Sequence, residues 1–166
     1  MKILGIIPAR YDSSRFPGKP LLDLGGKSMV KRVYEQAQKS KLDQVIVATD
    51  DERIYNAILS FSGKAVMTSS KHPSGTDRCL EALQKTEGNF DGVINIQGDE
   101  PFIHPEQIQK IAHCLQQKNI QIVTLAKAVT KKDDLSNINT PKVFFNEQML
   151  ATSFEREVNF DNKNKY

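Results

Sequence analysis

The chain has 166 residues, 39% hydrophobic and 26% charged, which is the size of one domain and too apolar for a disordered polymer. A net charge of +3 is too small for a dedicated nucleic-acid binder, and no run of about 18 apolar residues is present to insert into a membrane. Cys79 and Cys114 lack metal-ligand spacing and read as reduced thiols of a cytoplasmic protein.

Residues 2–7 form a short, nearly all-apolar run that ends at Pro8, the pattern of a strand buried on both faces. The run is too short for a signal-peptide core. Residues 8–27 are punctuated by Pro8, Pro17, Gly18, Pro20, Gly25 and Gly26 and read as loop, with an extended piece over 21–24. Ser28 is a fitting N-cap for a helix carrying Met29, Val30, Val33 and Ala37. Residues 45–48 make a second buried strand. Asp51 then caps a helix with Ile54, Ile58 and Phe61 on one face, and Gly63 supplies the stop. Residues 64–67 are a third strand, and Thr76 is the expected cap of a helix carrying Cys79, Leu80 and Leu83. Residues 93–96 are a fourth strand. Pro105 suits the first turn of a helix with Ile108, Ile111, Ala112 and Leu115, and residues 120–126 read as a fifth strand. Weaker extended candidates lie at 143–145 and 150–154. Strand and helix alternate, so the expected fold is a three-layer α/β domain, a mainly parallel sheet with helices on both faces, over residues 1–154. Residues 155–166 are polar, and no packed structure is expected there without a partner.

The excess positive charge is local. The first twenty residues carry Lys2, Arg10, Arg15 and Lys19 against Asp12 alone, while the remainder balances at 19 basic and 19 acidic residues. Such a loop suggests a small anionic ligand. In open α/β sheets ligands gather beyond the carboxyl ends of the strands, and three segments leave strand ends with unusual content. The first holds Arg10, Arg15 and Lys19, with Ser13 and Ser14 between them and Gly18 allowing close backbone approach; it can cradle a triphosphate or be a solvated basic loop. The second runs from 69 to 78. Ser74, Gly75 and Thr76 form a turn into a helix, and Arg78 stands in a first turn where the helix dipole disfavours cations unless an anion is near. In the third, Gln97, Gly98, Asp99 and Glu100 follow an apolar strand, so adjacent carboxylates are placed to hold a hard cation such as Mg²⁺ or simply to face solvent. His72, His104 and His113 show no paired spacing. Neither a G-x-G-x-x-G fingerprint nor a Walker A sequence is present, which argues against dinucleotide and P-loop sites.

Taken in order, the stretches IIPARYDSSRFPGKPL, VIVATDD, HPSGTDR, INIQGDEP and NINTPKV resemble the 3-deoxy-manno-octulosonate cytidylyltransferases, also called CMP-Kdo synthetases, over residues 3–145. The resemblance implies a nucleotide-diphospho-sugar transferase-like fold, a cytoplasmic homodimer in lipopolysaccharide synthesis, and the reaction of CTP with Kdo to give CMP-Kdo and pyrophosphate. It assigns Arg10 and Lys19 to the triphosphate, assisted by Arg15. Backbone at Pro8 and Ala9, with Ser74 and Gly75, would read the pyrimidine. Asp99 would hold Mg²⁺, Arg78 would meet a phosphate or the Kdo carboxylate, and Gln97 would touch the ligand. Arg10, Lys19 and Asp99 are the implied catalytic set.

After Phe145 the likeness declines to Ala151, Phe154 and Arg156, the last a remnant of a sugar site. The C-terminal third of the family chain, with much of the Kdo site, a second metal carboxylate and much of the dimer contact, is expected to be lacking. Two other readings therefore stay open: a catalytically silent CTP-binding module, and a nucleotidyltransferase for another 2-keto sugar acid such as sialic acid.

Overall fold

A computed structural model describes residues 1–12, 16–130 and 135–157 of the protein. The chain divides into two compact units, Met1–Val123 and Thr124–Tyr166.

The first unit is built on β1 (Ile3–Ala9), β2 (Gln44–Thr49), β3 (Ala65–Met67) and β4 (Gly92–Asn95), paired in parallel in the order β3-β2-β1-β4. Central β1 aligns Ile6 with Ile46 on one side and with Asn95 on the other. Its side chains alternate between two cores, as strand geometry requires. Ile3, Ile7 and Ala9 join Val45, Val47, Ile94 and Ile96 on one face, and Leu4 and Ile6 join Ile46 and Ala48 on the other. All of these are at most 4% exposed, which is why residues 3–7 read as a continuous apolar run.

The first face is covered by α1 (Met29–Gln38), α2 (Glu52–Ser60) and α4 (Pro105–Leu115), through Val30 and Val33, Ile54 and Ile58, and Ile108. Cys79 and Ala82 of α3 (Gly75–Lys85) cover the second. Right-handed crossovers account for the split. The chain steps one way from β1 through β2 to β3, then reverses past β1 to reach β4, so α3 must lie on the opposite face. The expected three-layer α/β architecture is present.

Local signals behave mostly as read. Ser28 and Asp51 are the N-caps of α1 and α2, and Pro105 opens α4. The residue ending α2 in the left-handed region is Ser62 (φ 62°), not Gly63. Gly63 is needed instead for close approach, since a methyl there would meet Ile58 Cγ2 and Phe61 Cε2 at 2.7 Å. The cap of α3 is Ser74, two residues before the expected Thr76: its hydroxyl accepts from the Asp77 amide and donates to the Asp77 carboxylate. Leu80 faces outward at 57% exposure, and the inner face belongs to Arg78, Cys79 and Ala82, with Leu83 packed against that core. The expected strand over 120–126 does not form. Ile122 is 91% exposed, and no described strand edge accepts the segment; apolar β-formers make a strand only where an edge takes their hydrogen bonds.

The second unit contains a two-stranded antiparallel sheet, β5 (Lys142–Phe145) with β6 (Ala151–Glu155), close to the weaker extended candidates. Lys142 is 6% exposed, and its ammonium donates to the carbonyls of Asn137 and Arg156 at 2.6 and 2.7 Å. The Arg156 guanidinium in turn donates to the carbonyls of Ile138 and Asn139. Residues 158–166 of the expected polar segment lie outside the described residues.

Candidate functional site

The reversal of chain direction falls between β1 and β4, and such a switch point leaves a crevice beyond the strand ends. The last ladder bond there runs from the Ile96 amide to the Ile6 carbonyl at 2.8 Å. Beyond it Pro8 has no N–H to offer, and the strand that continues β4 turns away through Gln97 and Gly98. Gly98 passes so close to β1 that a methyl on it would meet the Pro8 carbonyl oxygen at 2.7 Å, well inside contact distance. From the other side Gly75 brings the first turn of α3 against Pro8, where a methyl would stand 3.3 Å from Pro8 Cγ. Two glycines thus let an acidic turn and a helix N-terminus both close on one proline.

A cavity of about 270 Å³ opens at this point, near the lower end of small-molecule sites, roughly 300–1,000 Å³. Eight of the residues singled out in the sequence line it: Pro8, Ala9, Arg10 and Lys19 from the first segment, Gly75 and Arg78 from the second, Gln97 and Asp99 from the third. Ser74 does not; its hydroxyl is committed to capping α3. Arg15 lies outside the described residues. Pro20, Met29 and Gly98 complete the wall. Met29, the first residue of α1, has the sequence pattern of a core position and also lines the cavity.

The charges are arranged unequally. Lys19 is placed by a short 3-10 turn (Lys19–Leu21) that follows Gly18, whose left-handed φ of 74° suits glycine. Its Nζ donates to Asp99 Oδ2 at 2.8 Å, with the two side chains 39% and 53% exposed. The expected phosphate cation and the expected metal carboxylate are therefore in contact. Arg10 is exposed, and among the described residues its guanidinium makes a long contact, 3.5 Å from Nη2 to the His72 carbonyl. The ring of His72 is paired with Glu81, which also pairs with Lys85 and accepts from the Ser69 amide. These contacts, led by Lys85, pull the Glu81 carboxyl down to about 2. They also tie the segment before α3, with the carbonyl that meets Arg10, back onto α3.

Arg78 is the surprise. Its side chain is 1% exposed; Nη2 donates to Asp50 Oδ2 at 2.7 Å and Nη1 to Thr68 Oγ1 at 2.6 Å. The anion that the helix dipole called for is thus a carboxylate of the protein, Asp50, at the end of β2. The Asp50-Asp51 doublet held the clue: only one of two adjacent carboxylates can cap α2.

Among the described residues no group of three His, Cys, Asp or Glu side chains converges as a metal cage. Asp99 alone, exposed at the cavity, fits a hard divalent cation that shares its coordination with phosphate oxygens and water, the usual manner of Mg²⁺.

The profile of a family described as cytidylyltransferase matches residues 4–165. The chain belongs to the cytidylyltransferase family. Among curated proteins it is 57% identical over 162 residues to the 3-deoxy-manno-octulosonate cytidylyltransferase of Parabacteroides distasonis, a match covering 95% of this chain and 64% of that protein. It is 53% identical over 161 residues to the protein of the same description from Bacteroides thetaiotaomicron, with the same two coverages. Among solved structures, CMP:2-keto-3-deoxy-manno-octonic acid synthetase complexed with CTP superposes with a TM-score of 0.89 at 42% identity, over 95% of this chain and 65% of that one. The chain therefore spans a little under two thirds of the length of the relatives it matches.

Proposed function

We propose that the cavity at the β1–β4 switch point binds CTP and that the protein transfers the cytidylyl group to 3-deoxy-manno-octulosonate. The observation that carries this reading is convergence: cations from residues 10 and 19, the amino end of α3 and the acidic turn at 97–99 all line one cavity. Family membership and the descriptions of the relatives favour cytidine as the nucleotide and Kdo as the acceptor.

In the reaction the acceptor hydroxyl attacks the α-phosphorus of CTP. A new P–O bond forms as the bond to pyrophosphate breaks, the electron pair leaves with pyrophosphate, and the hydroxyl proton passes to solvent. Little covalent help is needed, so the protein's task is to position two anions and offset their charge. Arg10, exposed at the cavity and held among the described residues by the long His72 contact, is available to the triphosphate. Lys19 must be shared, because an incoming triphosphate competes with Asp99 for its ammonium. A carboxylate released in this way is suited to Mg²⁺, which would supply neutralisation of phosphate charge. Arg78, held by Asp50, forms a fixed wall rather than a moving phosphate ligand. Backbone groups of Pro8 and Ala9 at the end of β1, with Gly75 at the start of α3, are placed to read the pyrimidine edge, and Ser74 acts by fixing that helix start. Gln97 is positioned to touch the ligand, and Arg15 assists at the phosphates. A cytoplasmic setting with free Cys79 and Cys114, and pairing of two copies, belong to the same reading.

Calorimetric titration of CTP, followed by pyrophosphate release on adding Kdo, tests the two halves separately. CTP binding with Kdo-dependent release is the expected outcome. Binding without release from any 2-keto sugar acid would reduce the chain to a nucleotide-binding module, and absence of CTP binding would overturn the reading.

A further inference from the structure

We propose that Arg53, in the first turn of α2 and outside the cavity, is a positioning residue: by clamping the ring of Tyr11 it fixes where Arg10 and Lys19 stand. The inference rests on the reading of the cavity as a CTP site.

The Arg53 guanidinium carbon lies 3.2 Å from the centroid of the Tyr11 ring. Its plane is locked by a fork of two bonds to Asp51, from Nε to Oδ1 at 2.9 Å and from Nη2 to Oδ2 at 2.6 Å. Asp51 is in turn anchored as the cap of α2, accepting from the Arg53 amide at 2.9 Å. A bidentate pair of this kind holds the flat face of arginine in one orientation, ready to stack on an aromatic ring.

Tyr11 is also the point at which the loop closes. The Gly18 amide donates to the Tyr11 carbonyl at 2.8 Å, and Gly18 packs so near the ring that a methyl there would lie 3.1 Å from its atoms. Arg10 precedes Tyr11 and Lys19 follows Gly18. Both cavity cations are therefore one residue from a junction whose ring is held by α2. That helix is itself seated by buried Ile54 and Ile58, so Arg53, 58% exposed, contributes little to the core. An ordinary surface arginine would account for the bond to Asp51 but not for the stacked ring.

The test compares Arg53→Ala, Arg53→Lys, Tyr11→Phe and Tyr11→Ala by CTP titration and by amide hydrogen exchange of the ligand-free protein. Arg53→Ala is expected to weaken CTP binding roughly three- to tenfold while keeping the thermal midpoint within about 2 °C of wild type. Arg53→Lys should fall between, and Tyr11→Phe, which keeps the ring, should bind within about twofold of wild type. Combining Arg53→Ala with Tyr11→Ala should cost no more than Tyr11→Ala alone, because both remove one contact. Without ligand, the Gly18 amide should exchange several times faster in Arg53→Ala. Unchanged Gly18 exchange, or fully additive losses in the double variant, would overturn the clamp. If the wild-type chain binds no CTP, the functional reading fails, and the Gly18 exchange rate still decides the clamp.

Discussion

Asp50→Ala removes the carboxylate that neutralises Arg78. The guanidinium it leaves behind is 1% exposed and retains Thr68 Oγ1 as a neutral acceptor. Removing one partner of a buried ion pair costs about 3–5 kcal/mol, because the other charge stays desolvated. Asp50 is itself 15% exposed, so water can reach the vacated position, and the lower end of that range, about 3 kcal/mol, applies. In a protein of this size 1 kcal/mol moves the thermal midpoint by about 2–4 °C, which gives a loss of roughly 6–12 °C. The assay is thermal and urea unfolding followed by far-ultraviolet circular dichroism, with Asp50→Ala, Arg78→Met and the double variant side by side. The double variant should be more stable than the sum of the singles implies by at least about 1 kcal/mol, since it strands no charge. CTP affinity should fall less in Asp50→Ala than in Lys19→Ala, because Arg78 serves as a wall. A loss below about 1 kcal/mol in Asp50→Ala, or strict additivity in the double variant, would show that the pair does not hold the strand ends to α3.

Gly98→Ala should destabilise the protein by about 1–3 kcal/mol and impair CTP binding, because its methyl would meet the Pro8 carbonyl oxygen at 2.7 Å; urea midpoints and titration check both. In the presence of a chelator, Asp99→Asn should bind CTP up to about fivefold more tightly than wild type, since it frees Lys19 from an exposed pair of about 0.2–1 kcal/mol; weaker binding would refute the competition. Burial raises the Cys79 thiol to about 11, so at pH 8 it is protonated as well as hidden. Iodoacetamide should modify Cys114 first and reach Cys79 only on unfolding, as peptide mass mapping would report. The Glu81 carboxyl is held at about 2, against 4.5 ordinarily. Its stabilising effect is present above pH 4.5 and is lost as the pH falls towards 2, so Glu81→Gln should narrow its stability gap to wild type across that interval in acid titration. Lys142→Met in the second unit keeps the apolar stem but loses bonds to two carbonyls, and should cost about 1.5–3 kcal/mol there.

The strands that form the sheet centre were legible because burial on both faces demands unbroken apolar runs, as in 3–7 and 45–48. The same rule misled at 120–126, where Ile120, Ile122 and Val123 have strand chemistry but no described edge to pair with; pairing is a tertiary fact that one segment's composition does not contain. The cap at Ser28 was legible because no second cap-forming residue stands beside it, and at α2 the carboxylate adjoining the first helical residue, Asp51 rather than Asp50, is the cap. At α3 both Ser74 and Thr76 were eligible, and the S-x-x-D spacing to Asp77 was the overlooked signal. The three segments were legible because strand ends with basic, glycine-bearing or acidic stretches are gathered at one edge of an α/β sheet, whereas the roles of single residues, Pro8 and Ala9 among them, came from the family resemblance. What escaped was partnership: that Arg78 answers to Asp50, Lys19 to Asp99 and Tyr11 to Arg53, contacts across 28, 80 and 42 positions of sequence respectively.

The claim on which the account depends is that Arg10 and Lys19 receive the phosphates of a cytidine nucleotide beside Asp99. Isothermal titration of CTP into wild type, Arg10→Ala and Lys19→Ala measures this directly. Each substitution should remove a charge-assisted contact, weakening binding by about 1.5–3 kcal/mol, or roughly ten- to 150-fold, with the fold intact by circular dichroism. Equal affinity in all three proteins would contradict the account.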